Sequence, residues 1–497
     1  MTPSVSAALS DLRDLDRRWY VRGFTLALVI ALLASATVLS VGYEPPELEP
    51  GNIDQRANGT TIVAVQGFHF KGQGDKKKPA RLVGLDPEGN VSWIYSGTRR
   101  GASWFYDSDP LPNGDVLAVN TMKVYGYGRT QVYRLDPRTK ERVWEVTLDL
   151  TDTHDVDLIN GDQLLVANMR QWDGSVGVSN DRLVIYDISG IINGTQERVT
   201  EDDVVWEWHF KNHYPESTDG GMSDDWTHVN DVDKIGPGQY LASPRNFDQV
   251  IVVNRSTGEI DHQLGGDGKL SIINEQHNPT YLETEDEKPT ILVADSENDR
   301  VVEYTCTEMA GGECEWERVW TVGEDQLNWP RDADRLPNGN TLIVDSMGHR
   351  VLEVTPTGRI VWESYVPWAP YDAERMAYGD EAMDAGERPT MHDMGFNGTY
   401  RLKNSAGLAP GTQGGTQTFP QWLKLTFGGT PLEGPIFDFA ELWESASQWA
   451  KPVWMAPWSL VYLTATAVLV LGWALAELVY QRRRIGRVAR RAAARLG

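Results

Sequence analysis

Tyr106–Asn120, YDSDPLPNGDVLAVN, and Val132–Val146, VYRLDPRTKERVWEV, are the two halves of one unit. A polar-apolar alternation opens it, Asn113-Gly114 turns it back, and an apolar strand follows. A second apolar strand, a turn of the D-x-x-[ST]-G kind and a Trp-bearing strand complete it, so the unit holds four short strands.

The unit recurs along the chain. HDVDLINGDQLLVAN at His154–Asn168 continues into LVIYD and VVWEWHF, and NDVDKIGPGQYLASPRNFDQVIVVNRSTGEIDHQL begins at Asn230. HNPTYLETEDEKPTILVADSENDRVVEY starts at His277 and RDADRLPNGNTLIVDSMGHRVLEVTPTGRIVWES at Arg331. NIDQRANGTTIVAVQG from Asn52, with RLVGLDPEGNVSWIY, is a degenerate first copy. Four strands at a period of about 40–45 residues mark a β-propeller, because one such sheet cannot bury both faces and must stack radially on others. The fold class expected is therefore all-β, a six-bladed β-propeller over residues 44–365. Nineteen Trp, 47 Gly and 26 Pro suit a turn-rich β chain.

Apolar runs flank the repeats, Phe24–Val41 and Ala456–Tyr480, each long enough for a membrane helix. Arg17, Arg18 and Arg22 precede the first; Arg482, Arg483, Arg484, Arg487, Arg490, Arg491 and Arg495 follow the second. Positive charge stays cytoplasmic, so residues 1–23 and 481–497 are expected inside, 24–43 and 456–480 as transmembrane helices, and the propeller outside the cell membrane. Cleavage of the first run as a signal peptide near Ala34-Ser35-Ala36 is the competing reading, and it leaves the propeller outside as well. Residues 366–455 are expected to be a membrane-proximal irregular region, with an aromatic amphipathic helix in FDFAELWESASQWAKPVW. Five sequons, at Asn58, Asn90, Asn193, Asn254 and Asn397, suit an exported domain. Cys306 and Cys314 flank a Gly-Gly loop between strand ends, within reach of a disulfide that would persist outside the cell.

The formal net charge is −25, and the two ends carry about +7 of their own, so the span between them holds about −32. Such a surface repels nucleic acid and reads as a halophilic adaptation, since molar salt shortens the Debye length to about 3 Å.

Aligning the units on their first strands makes Tyr106, His154, Asn230, His277 and Arg331 equivalent, with Asn52 the weak sixth member. First strands line a propeller's channel, so these positions form a ring. His228, two residues before Asn230, shares its face if the segment is extended, and Arg245 sits one strand further out. A ring of mixed polar groups is an anion site. Asp155, Asp157, Asp231, Asp233, Asp332 and Asp334 read instead as turn caps or pins between blades. His69, His209, His213, His262 and His349 read as structural. Zinc is disfavoured because the ring includes arginine and no HxH or HxxxH pair falls within it, so no metal is assigned.

DDWTHVNDVD at Asp224–Asp233, YLASPRNFDQVIVVNRSTGEI at Tyr240–Ile260 and EQHNPT at Glu275–Thr280 resemble the arylsulfate sulfotransferase (arylsulfotransferase) family, over roughly residues 100–365. The resemblance implies a six-bladed propeller that moves a sulfuryl group from an aryl sulfate donor to a phenol, with no nucleotide donor and no cofactor. It implies that His277 takes the sulfuryl group, that His228 and Arg245 bind sulfate and stabilise the transition state, and that His154 is the further channel histidine. Tyr106 has the channel-tyrosine role by register, and Asn230 and Arg331 complete the substrate-binding set. Bacterial members are usually soluble and periplasmic, whereas this chain has two apolar helices, which invites a glycan or lipid-linked acceptor. HNPT also replaces the more usual small or apolar residues after the Q-H pair.

The chemistry suits these residue types. A neutral imidazole nitrogen attacks sulfur in line with the departing aryl oxygen, where a carboxylate would repel the sulfate. Cationic donors count most where charge gathers, on the equatorial and leaving oxygens, and protonated His154 or Tyr106 is the donor expected for the phenolate. A non-catalytic NHL-like propeller binding a protein or glycan is the alternative, since TLIVDSMGHRVLEV and ILVADSENDRVVEY also carry that pattern. A quinone-dependent dehydrogenase would need docking tryptophans and a calcium site that the sequence does not display.

Overall fold

The computed structural model describes residues 17–45, 47–68, 77–124, 127–310, 313–379, 388–408 and 417–496. The first 16 residues, His69 and the arginine side chains beyond Arg482 lie outside the described set. The chain forms two compact units, Pro46–Gln417 and a second made of Met1–Pro45 with Thr418–Gly497.

Pro46–Gln417 is a six-bladed propeller. Blades 2 to 5 follow the chain, with inner strands Ala102–Asp107, Val156–Ile159, Val229–Gly236 and His277–Glu283. Blade 6 begins at Pro330–Arg335, and its outermost strand is Glu49–Ile53, from the other end of the unit. Blade 1 takes Thr61–Val65, Arg81–Leu85 and Val91–Tyr95, while its inner strand is Pro370–Arg375. Two strands exchanged between distant parts of the chain therefore close the ring.

This closure corrects the sequence reading in two places. Residues 366–455 hold the expected helix, at Glu433–Ala450, but are otherwise not uniformly irregular: they also supply the inner strand of blade 1, an edge strand Gly398–Tyr400 parallel to blade 5, and the helix Phe419–Phe427. Asn52 is not a ring member. It lies on the outermost strand of blade 6, where its Nδ2 donates to the Ile360 carbonyl.

Among the described residues the core falls into six hydrophobic clusters, each shared by two neighbouring blades. The second strands are buried along Thr341–Asp345 and, after their first residue, along Gln163–Asn168, Gln239–Pro244 and Pro289–Asp295, because both faces of these sheets are covered. The Asn-Gly turns after the inner strands place Gly114, Gly161 and Gly339 at φ near +84°, where a Cβ would be strained. Inner-strand aspartates pin the ring: Asp155 and Asp157 accept from Val232 and Lys234 of blade 4, and Asp332 accepts from Ala373 of blade 1.

Cys306 and Cys314 form a disulfide across the long hairpin of blade 5, with Cα atoms 5.3 Å apart. Of the remaining histidines, His213 stacks on Trp208 and His349 accepts from the Ala369 amide.

The second unit is a helical hairpin. Arg18–Ser40 and Pro457–Arg482 are long and apolar enough to cross a membrane. Ser40 meets Ser459 at 2.9 Å near one end, and Arg22 meets Glu477 at 2.6 Å near the other. Eighteen residues separate the two contacts on each helix, about 27 Å of helix, so the pair runs antiparallel over roughly the thickness of a bilayer core. Helices Phe419–Phe427 and Glu433–Ala450 belong to the same unit, with Phe419 packing on Trp443 and Trp458.

Candidate functional site

Six side chains, one per blade, occupy the ring: Tyr106, Asn230, His277, Arg331 and Tyr371 on the inner strands and His154 two residues before its own. The sequence repeat ends at residue 365 and so omits Tyr371. YDAER at Tyr371–Arg375 is nonetheless a first-strand copy, with Asp372 and Glu374 where Asp107 and Asp109 follow Tyr106.

A second set lies two residues upstream: Asp152, His228, Glu275 and Trp329. All four have positive φ, between 41° and 60°, so the segment is not extended as expected for His228. The left-handed residue is costly for a side chain with a Cβ, and here it turns that side chain to the same end of the blades as the ring. Arg245, the doubtful member by register, follows directly on the second strand of blade 4 in a 3₁₀ turn, Arg245–Phe247. Its strand end, Pro244, pairs with Val229 beside His228, and its guanidinium lies 3.3 Å from Glu275.

The histidines differ in what they face. His277 Nδ1 lies 2.8 Å from Ser296 Oγ and 3.1 Å from the Glu275 carbonyl oxygen. Ser296 gives its own proton to the Pro330 carbonyl at 2.7 Å, so both oxygens accept from His277 and the proton sits on Nδ1. Nε2 keeps its lone pair and has no hydrogen-bond partner among the described residues. Burial, then Arg331, Arg245 and the other two histidines, push His277 well below the usual imidazole range.

His228 Nδ1 donates to Asp225 at 2.8 Å. Burial and then Arg245 lower its pKa well below the ordinary value, while a carboxylate behind the ring can support a proton when an anion arrives. His154 accepts at Nδ1 from the Tyr371 hydroxyl at 2.8 Å, and its Nε2 is 3.8 Å from Asp152. Burial lowers its pKa too, so a protonated resting His154 is not favoured. Tyr106 donates to Asp152 at 2.8 Å and is held there. Burial alone would raise Asp152, but hydrogen bonding to His154 and the charge of Arg170 hold it below the usual carboxylate range.

Arg170 went unrecognised by sequence. It ties Asp152 at 3.1 Å to Asp225 at 3.2 Å, and so fixes the carboxylates behind both His154 and His228. Asn230 is fully buried and donates to the Gln276 carbonyl at 2.9 Å, joining blades 4 and 5. Tyr371 is central: its ring centroid is 5.1 Å from Tyr106, 5.4 Å from His154 and 5.8 Å from His277, and Arg331 lies 4.6 Å above it. Among the described residues no group of His, Cys, Asp and Glu has a metal-holding arrangement.

The class this defines is a six-bladed propeller whose inner strands gather imidazole, guanidinium and phenol side chains. The family model for arylsulfotransferase (ASST) matches residues 108–366, more than half of the chain, and the protein belongs to that family. At family level the activity is aryl sulfotransfer. No curated protein matches. Similar solved structures include a Bacteroides caccae protein of unknown function, 12% identical over 70% of this chain and 100% of that one, with TM-score 0.38. A streptogramin B lyase is 11% identical over 68% and 92% of the two chains, with TM-score 0.37. Kuenenia stuttgartiensis hydrazine synthase is 13% identical over 59% and 77%, with TM-score 0.34.

Proposed function

We propose that the chain is a membrane-anchored arylsulfotransferase that works through a sulfohistidine at His277, with both termini cytoplasmic and the propeller outside. The observation that carries this reading is the partner set of His277. Neutral oxygens on Nδ1 keep the ring uncharged and fix the tautomer, which leaves Nε2 bare to attack.

In the first half-reaction the Nε2–S bond forms as the S–O(aryl) bond breaks. Arg245 and His228 hold the equatorial sulfuryl oxygens; His228 takes a proton from solvent as the anionic donor binds, keeps it against Asp225 through both half-reactions and returns it to solvent when the sulfated product leaves. The departing phenolate takes the Tyr371 hydroxyl proton, which turns to it from the neutral His154 Nδ1, whereas the Tyr106 hydroxyl is held by the charged Asp152 carboxylate. In the second half-reaction an acceptor hydroxyl attacks sulfur, the N–S bond breaks, and the acceptor's proton restores Tyr371. The net proton balance is zero. His154 orients Tyr371, and Asn230 holds the blade 4–5 junction.

An aryl sulfate donor is expected to label the wild-type chain with one acid-labile sulfuryl group. His277→Asn should lose that label and at least about 10³-fold in turnover. Undiminished labelling in the variant would remove His277 from the role.

A further inference from the structure

Arg331 is a buried cation that the sulfuryl chemistry leaves unused. Its residue is 6% exposed. Arg245 and Arg170 each have a carboxylate within about 3.3 Å, but Arg331 has none in ion-pair contact among the described residues, only the longer-range charge of Glu297. Its guanidinium lies over the Trp329 ring at 4.3 Å and the Tyr371 ring at 4.6 Å, one terminal nitrogen donates to the neutral Gln66 side-chain oxygen at 2.7 Å, and Nε is buried with no partner. Aromatic faces and one amide oxygen orient a guanidinium without neutralising it, and an unpaired buried charge is costly. Trp329 and Gln66 come from different blades and hold the fork from two sides, so the plane is fixed before any ligand arrives.

We propose that Arg331 reads a second anionic group on the substrate, a carboxylate, phosphate or sulfate carried on the aromatic acceptor or donor in addition to the transferring sulfuryl group. Arg245 stands in blade 4 and Arg331 in blade 6, with His277 of blade 5 between them, and both cations act electrostatically on that imidazole. The sulfuryl group on His277 is served by Arg245 and His228 from one side. Arg331 is left to face the aromatic portion across Tyr371. A planar fork with open donors matches a planar carboxylate, which selects hydroxybenzoate-like acceptors over plain phenols.

The substrate named here rests on the sulfotransfer reading, whereas the anion contact does not. The test compares 4-hydroxybenzoate with phenol as acceptors, in the intact chain and in Arg331→Gln and Arg331→Lys. The ratio of kcat/KM for the two acceptors is expected to fall about tenfold or more in Arg331→Gln and by less in Arg331→Lys, which keeps the charge but loses the fork. An unchanged ratio in Arg331→Gln overturns the inference, because a residue serving only the sulfuryl group or the fold would depress both acceptors alike. Calorimetric binding of 4-hydroxybenzoate separates the two failures. Affinity that weakens about tenfold in Arg331→Gln, with no turnover in any chain, keeps the anion contact and removes the reaction. Equal affinity in wild type and Arg331→Gln overturns the contact whatever the turnover.

Discussion

Blades 5 and 6 make the same turn after their second strands and use it differently. Each strand ends in Asp-Ser, Asp295-Ser296 and Asp345-Ser346, and each is followed by an arginine that binds the aspartate, Arg300 at 2.6 Å and Arg350 at 2.7 Å. Each serine hydroxyl donates to the first carbonyl of the next inner strand, Pro330 or Pro370. At the ring position one blade carries His277 and the other Arg331. In blade 5 the serine oxygen also accepts from His277 Nδ1, so the proposed nucleophile is oriented by a bond the fold already makes between blades. Blade 4 has Pro244-Arg245 at the same place: the position that elsewhere pins a neighbour here supplies a cation.

The largest effect expected from this comparison is at blade 4. Arg245→Gln should lower kcat/KM for an aryl sulfate donor by about 10²–10³-fold, the scale of removing one preorganised donor from an oxyanion site. A loss smaller than about threefold would make Arg245 a structural residue like its serine counterparts. Next come the two serines. Ser296→Ala should slow sulfuryl labelling by about tenfold and cost about 1–2 kcal/mol in denaturant unfolding, while Ser346→Ala should show a similar stability loss with turnover within about twofold. Equal losses of turnover in the two variants would break the comparison.

The smallest effect is in pH dependence. His277 is buried neutral with a depressed pKa, so the labelling rate should stay flat as pH falls through about 6.5, where an exposed imidazole would lose its lone pair. The same depression makes a stability statement. The contribution is fully present above the unfolded imidazole value of about 6.5 and is lost as pH falls from there toward the folded value. Melting temperatures taken between pH 7 and 5 should therefore drop less in His277→Asn than in wild type, and parallel drops would contradict the assignment.

The repeat was legible because propeller blades repeat their turns as well as their strands. Asn113-Gly114, Asn160-Gly161 and Asn338-Gly339 announce inner hairpins, and the fold followed from them. The ring followed from the same register, with Tyr106, Asn230, His277 and Arg331 on inner strands and His154 two residues before one. Tyr371 escaped because PWAP, with two prolines, reads as the end of the sheet, although the YDAER behind it is an inner strand whose partners lie some three hundred residues upstream. Asp152 and Glu275 escaped for another reason. Alternation assigns faces only in extended chain, and a left-handed residue at the head of the strand cancels that rule. Arg170 carries no motif, and its importance lies wholly in bridging Asp152 and Asp225.

The exchanged strands also set an order in time. Thr61–Val65 is made early but finds its inner neighbour only when Pro370–Arg375 has been synthesised. At about 5–20 residues per second that wait is tens of seconds, during which blade 1 presents a bare apolar edge. Tyr371 rides on the strand that ends the wait. All three channel histidines are therefore in place before the hydroxyl that completes the site, and a chain cut short before residue 370 should hold its nucleophile without the tyrosine needed to release the product.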